Sequence, residues 1–335
     1  MLMHRTVAPT TTAVVFTSLL LPAAGLLAQT ASSEPPPAAP PASPAAEATP
    51  PSGKPALAEQ NGKPAWRISF ELKGSHAFEA DFDGAPGSVA VTRTGAEVGV
   101  MVPLADKTRL GFGLEWTGSF YDFTDATGFA AGFSEPWGDT HEIGFNANIG
   151  GSLGGKWGYF ALASIRSSGE EGAEFSDTLT YGGLAAVSHQ YTESLSASIG
   201  LYVQSRLEDD ALIIPIPGID WKINEQWRLT SMNQPGLFVL YSPSDAWTFS
   251  LGARFEGAEY RLNDRDAAPE GVGRDRAVPV ELGAEYRPSR NITIGGFVGA
   301  YVYRKLRLED SGGAKISEFE MDPAPVVGLN LKFAF

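Results

Sequence analysis

The stretch "VVGLNLKFAF", Val326–Phe335, puts Val327, Leu329, Leu331, Phe333 and Phe335 on one parity and Gly328, Asn330, Lys332 and Ala334 on the other. Alternation with a period of two marks a strand that has one apolar face. A strand that ends on an aromatic residue leaves a row of unpaired backbone groups unless both its edges find partners. It is therefore expected to pair with the first strand, near Trp66, and to close a sheet on itself.

The same division recurs along the chain. In "TRLGFGLEW", Leu110, Phe112, Leu114 and Trp116 oppose Arg109, Gly111, Gly113 and Glu115. In "WTFSLGARF", Trp247, Phe249, Leu251, Ala253 and Phe255 oppose Thr248, Ser250, Gly252 and Arg254. No segment after Trp66 carries a convincing helical period. The pattern predicts fourteen strands, at 66–74, 92–102, 108–118, 140–150, 157–167, 179–189, 194–204, 212–222, 227–233, 236–242, 247–261, 278–287, 291–303 and 325–335. Several have the length that a tilted strand needs to cross a hydrocarbon layer. The ninth and tenth are shorter, and "GLFVLY" is apolar on both parities, so a twelve-stranded barrel also fits.

The connections alternate in length. Tight turns fall at "LADK", "GGK", "YTE", "NEQ", "SPSDA" and "PSR", and long polar loops at 75–91, 119–139, 168–178, 205–211, 262–277 and 304–324. Short turns on one side and long loops on the other are the signature of an up-and-down barrel that spans a membrane. With the first strand starting at the turn side, Trp66, Trp157, Tyr159, Trp221, Trp227, Trp247 and Tyr286 form one aromatic belt. Trp116, Trp137, Tyr181, Tyr202, Tyr260, Tyr301 and Tyr303 form the other.

The amino terminus is read separately. Residues 1–28 carry His4 and Arg5, an apolar run from Ala13 to Leu27 and the small residue Ala28, the pattern of a cleaved signal peptide. Residues 29–64 hold nine prolines between Pro35 and Pro55 and few large apolar side chains, so a disordered periplasmic linker is expected there. Residues 65–335 are the barrel. The chain has no cysteine, hence no disulfide and no thiolate metal site.

A net charge of −14 argues against a nucleic-acid partner. Glu79, Asp81, Asp83, Glu170, Glu171, Glu174, Asp177, Glu208, Asp209, Asp210, Asp264, Asp266, Glu270 and Asp275 fall in the long loops, where solvation is expected. No calcium-loop spacing is present, and neither a metal nor a cofactor is expected.

In a membrane barrel the apolar parity faces lipid, which turns the polar parity inward. Arg67, Glu71, Glu97, Arg109, Glu115, Glu142, Arg166, Arg254, Glu281, Glu285, Arg287 and Lys332 are the lumen-facing candidates, together with Lys73. Such a mixed set either stiffens the wall through ion pairs or lines a hydrated passage. A hydrolase needs a histidine within reach of a serine or carboxylate. Of His76, His141 and His189, the last two fall on the apolar parity, so no catalytic residue is assigned and an outer-membrane hydrolase is the weaker reading.

The terminal "GLNLKFAF" resembles the assembly signal of bacterial outer-membrane proteins. The stretch "PIPGIDWKINEQWRLTSMNQPGLFVLYSPSDAWTFSLGARFEGAEYRL" is similar to a family of predicted outer-membrane barrels of unknown function. That resemblance covers about the second half of the mature chain and implies a location and an architecture, without a substrate. It also implies outer-membrane lipid and the barrel-assembly machinery, engaged through Phe335, as partners. The expectation is an all-β, antiparallel, up-and-down transmembrane barrel in a Gram-negative-type cell outer membrane. A passive pore for small solutes is the leading function, and a structural or surface-interaction protein with a closed lumen is the alternative.

Overall fold

The computed structural model describes residues 59–60, 63–64 and 66–335, apart from 106, 131, 232–234 and 266. The expected signal peptide and most of the expected linker lie outside the described residues. At the linker's end, Glu59–Gln60 pairs with Lys63–Pro64.

Fourteen strands form a closed antiparallel ring. They are β1 (Arg67–Asp81), β2 (Ser88–Ala105), β3 (Thr108–Thr124), β4 (Thr140–Gly154), β5 (Trp157–Glu170), β6 (Leu179–Gln190) and β7 (Leu195–Gln204). β8 (Leu212–Lys222), β9 (Trp227–Thr230), β10 (Gly236–Tyr241), β11 (Trp247–Arg254), β12 (Val272–Ser289), β13 (Ile292–Glu309) and β14 (Ala324–Ala334) complete it. Each strand pairs with its neighbours in sequence, and β14 returns to β1, with Val326 opposite Ala77 and Ala334 opposite Ser69. The ring is fastened at its seam by an exchange in which Ile68 N–H donates to Phe335 O at 3.1 Å and Phe335 N–H to Ile68 O at 2.8 Å. That pairing joins the first strand to the last, as the alternation of the last ten residues leads one to expect.

The apolar parity points outward. Leu329 is 73% exposed, and Phe112, Leu114, Ile143, Phe145, Ile199, Leu251 and Leu282 are exposed with it. The tight turns gather at one end. The turn between β4 and β5 needs Gly154 and Gly155, at φ 105° and 56°, because side chains resist that backbone region.

At the other end the strands outrun their expected ends. β1 continues to Asp81, β2 begins at Ser88, β3 reaches Thr124, β12 begins at Val272 and β13 reaches Glu309, so much of the expected loop sequence is sheet. Beyond β11 the chain continues as Glu256–Arg261, which pairs with β12 and touches β5 where Arg261 meets Gly169. β6–β10 are thereby left out of an upper tier built from β1–β5, Glu256–Arg261, β12 and β13, and Lys315–Glu320 pairs with β13 there.

The upper tier has a packed core. Phe82, Val89, Phe123, Phe129, Trp137, Leu306 and Leu308 are all buried, with Phe82 stacked on Phe129 at 5.3 Å between ring centroids. Removing each large side chain from water contributes about 1.5–3 kcal/mol. Three residues expected in the outer aromatic belt are in this interior instead: Trp137, Tyr260 and Tyr301 are 1%, 3% and 2% exposed. Tyr301 falls on the inward parity of β13 that Phe297 and Gly299 also occupy. A bulge in the β12–β13 ladder pairs Val278 with Tyr303 but Pro279 with Tyr301. The additional residue, Val302, shifts parity beyond it, so Arg304 turns inward on the same face as Tyr301.

Some of the acids expected in solvent are also buried. Asp275 is buried between Arg93 and Arg304. Glu170 accepts from the backbone N–H groups of Gly138 and Asn263. Asp275 has arginines of opposite sign beside it and Glu170 has main-chain donors, which sequence position alone does not reveal.

Candidate functional site: the inner wall

Which face is inner follows from contacts that cannot run around the outside. Arg93 on β2 reaches Asp275 on β12, with Nη2 2.6 Å from Oδ2, although β1, β14 and β13 separate those strands. Only side chains that point into the barrel can meet in this way, and paired residues of adjacent strands share a face.

The register places several of the sequence candidates in one row. Lys332 is opposite Glu71, Glu71 opposite Glu97, Glu97 opposite Glu115, Glu115 opposite Gly144, and Gly144 opposite Arg166. Lys332 Nζ lies 3.0 Å from Glu71, and Arg166 lies 3.1 Å from Glu115 and 3.5 Å from Glu142. Gly144 makes the reach of Arg166 possible, since a Cβ there would come within 2.6 Å of Glu115 Oε1. These groups remain partly exposed, so the inner wall below the upper tier is open to water.

A second set forms a ladder at the base of the upper tier. Glu281 pairs with Arg254 at 2.7 Å, Arg254 with Glu256 at 2.6 Å, and Glu256 accepts from Tyr301 Oη at 2.9 Å. Arg93 donates to Tyr301 Oη at 3.0 Å and to Asp275 at 2.6 Å, and Arg304 lies 2.8 Å from Asp275. Three arginines face three carboxylates, so the buried set is neutral overall. Burial alone would push the Asp275 carboxyl up, but Arg304 and Arg93 outweigh it and hold it below the usual carboxylate range.

Other candidates lie apart. Glu285 and Arg287 pair with each other at 3.0 Å near the turn end and are exposed. Arg67 and Arg109 also lie at that end, with Arg67 opposite Met101 and Arg109 opposite Pro103. The histidines lie against aromatic rings: His141 against Trp116 at 6.1 Å, His189 against Trp157 at 4.5 Å and His76 against Phe78 at 4.8 Å. Nδ1 of His76 is 2.9 Å from Thr92 Oγ1, with no serine or carboxylate in that contact.

One part of the inner wall escaped the rule that polar parity faces inward. Followed from β3 to β8, one row runs Gly111, Asn148, Leu162, Leu184, Tyr202 and Ile214, and the next runs Arg109, Gly150, Phe160, Ala186, Gly200 and Ile216. At the level of these two rows the wall is apolar on β5 through β8, with charge above it at Arg166 and below it at the Asp220–Arg228 pair. Phe238 continues the apolar sector on β10, where it packs over Gly252. The sequence signal was present in "IIPIPG" and "GLFVLY", which are apolar on both parities.

Comparison with curated protein sequences finds no relative. Among solved structures, the chain is similar to an outer membrane channel of the COG4313 group from Pseudomonas putida F1, with 9% identity and a TM-score of 0.43 over 81% of this chain and 95% of that one. It is similar to the toluene transporter TodX of P. putida, with 9% identity and a TM-score of 0.41 over 80% and 89% of the two chains. The KdgM porin gives 8% identity and a TM-score of 0.33 over 79% and 99%. A family model described as "Domain of unknown function (DUF6268)" matches residues 140–334, more than half of the sequence. The chain therefore belongs to the DUF6268 family.

Proposed function

We propose that this chain is an outer-membrane barrel that acts as a passive channel for small solutes. The observation that carries the reading is the water-accessible inner row of Lys332, Glu71, Glu97, Glu115 and Arg166 inside a closed ring whose outward face is apolar. Charge on an inner wall sets preference among permeating ions, while the outward apolar face suits lipid. A signal peptide at residues 1–28 and a periplasmic linker at 29–64 fit export, and the strand ending in Phe335 fits recognition by the assembly machinery. No residue is assigned a catalytic role.

A second reading has its own support. The packed core of the upper tier fills the long-loop end, as a structural or surface-interaction barrel with a closed lumen would require. Planar-bilayer recording of the refolded full chain separates the two. Discrete conductance steps support the channel, and silence at every voltage sinks it.

A further inference from the structure

The outer face of the upper tier carries a square of cations. Asp275 and Arg304 point inward, so Arg274 and Arg276 on β12 and Lys305 and Arg307 on β13 point outward. The register sets Arg276 directly opposite Lys305 and Arg274 directly opposite Arg307. Like charges directly opposite one another destabilise a sheet, and here two such pairs are adjacent on one face. Together with Glu318 the four side chains line a concavity.

The nearby carboxylates are shared among these cations. Arg274 is buried and meets Glu309 at 2.7 Å and Asp209 at 3.0 Å. Arg307 uses the same Glu309, at 2.6 Å. Arg276 is 4.0 Å from Glu259, which Arg206 already holds at 2.7 Å. Lys305 lies 3.3 Å from Glu320 and 3.8 Å from Glu318, and Glu318 is also 3.7 Å from Lys315. The cations here outnumber the carboxylates by one, in a chain whose net charge is −14. Arg276, Lys305 and Arg307 keep 43%, 26% and 29% of their side-chain surface exposed, which leaves them within reach of an anion.

The height of the square selects the source of that anion. Below it, the outward residues of the same two strands are Val278 and Tyr303, then Val280, Leu282 and Val298, and finally Tyr286 and Ile294. From Tyr286 to Val278 the strand covers about 26 Å at its usual rise, most of the apolar band of a tilted barrel. Tyrosines bound this face at both ends, as at the two interfaces of a bilayer. Arg276 and Lys305 are the next outward residues, about 7 Å farther along, in the headgroup layer that flanks the hydrocarbon.

We propose that this square binds the phosphorylated headgroup of an outer-leaflet lipid. The proposal rests on the membrane-barrel reading. Arg276 and Lys305 donate to the phosphate, whose charge offsets their mutual repulsion, and Arg307 adds a further cation. Tyr303 and the exposed Val302, just below, meet the acyl chains.

The full chain purified in dodecyl maltoside provides the test, with diphosphoryl lipid A as the phosphorylated lipid and bound lipid counted by native mass spectrometry. The wild type should hold lipid A about tenfold or more tighter than phosphatidylcholine, and Arg276→Gln combined with Lys305→Gln should weaken that binding by about the same factor. Lys305→Arg should preserve it, and Arg265→Gln, which removes a cation outside the square, should leave it unchanged. Equal affinity of the wild type for the two lipids, or equal affinity of the wild type and the double variant for lipid A, overturns the site. Displacement of lipid A by inorganic phosphate at equal concentration also overturns it, since the square would then take a free anion. Heat-modifiable gel migration and insertion into phosphatidylcholine vesicles are followed on the same preparations, and where both are seen the barrel reading survives each of these outcomes. A wild-type chain that shows neither defeats the barrel reading and the lipid site with it.

Discussion

Arg93 and Asp275 stand 182 residues apart in sequence and four strands apart around the ring, yet their side chains meet at 2.6 Å inside the barrel. Arg304 closes on the same carboxylate from β13 at 2.8 Å. The contact ties opposite parts of the wall together at the level where the upper tier begins.

Removing that carboxylate leaves two buried guanidinium groups without their principal counter-charge. Asp275→Ala is expected to destabilise the folded barrel by about 3–5 kcal/mol. Urea titration in detergent micelles, read by heat-modifiable gel migration, measures this. A midpoint equal to that of the wild type contradicts the assignment.

The same pair fixes a pH dependence. The folded carboxyl of Asp275 titrates below its unfolded value of about 3.9. Its contribution is therefore fully present above that value and is lost as pH falls through the lower folded value. Stability should show an acid limb below about pH 4 that is diminished in Asp275→Asn, and unfolding midpoints from pH 2 to pH 7 would reveal it.

Adjacent positions on β14 should respond oppositely to charge. Leu329→Arg places a cation on the outward apolar face and is expected to cost about 2–4 kcal/mol near mid-membrane. Asn330→Arg, on the inner parity, should assemble better. Equal yields of heat-modifiable barrel from the two variants would mean that the outward face does not meet lipid.

The inner charge row should set ion preference if the barrel conducts. Arg166→Gln removes a cation beside Glu115 and Glu142. Reversal potentials in a salt gradient should then shift toward cation selectivity. No shift, in a channel that still conducts, would remove this row from the permeation path.

Among the described residues β9 pairs with β8 only at Asp220, Trp221 and Lys222, and the rest of that side of β8 makes a prediction of its own. Ile219 directs its backbone N–H and C=O to Ser231 on that side, so Pro215→Val and Pro217→Val each add an N–H where no strand pairs among the described residues, at a cost of about 1–3 kcal/mol per buried unpaired donor. Thermal melts of the reconstituted single variants would register the loss. Unchanged melting temperatures would indicate that this edge already has a partner.

Much of the architecture was legible in the residues. Period-two alternation identified the strands, tight turns such as "GGK" and "PSR" located one end, and the parity of Val326–Phe335 foretold closure against β1. The same parity nominates the inner candidates, with Lys332, Glu71, Glu115 and Arg166 among them. Parity says which face a residue occupies, but not which residues stand level with it.

What the sequence by itself determined was therefore local: the strands, their apolar faces and the turn connections, all set by repulsion of polar groups from an apolar exterior. The tertiary structure alone decided the rest. Register aligned Lys332, Glu71, Glu97, Glu115 and Arg166, a bulge turned Arg304 inward, and closure brought Arg93 to Asp275. The short span of β9 left it paired with β8, among the described residues, only at Asp220, Trp221 and Lys222. Each depends on pairing between residues far apart in the chain, and backbone hydrogen bonding fixes those pairings only once the ring is closed.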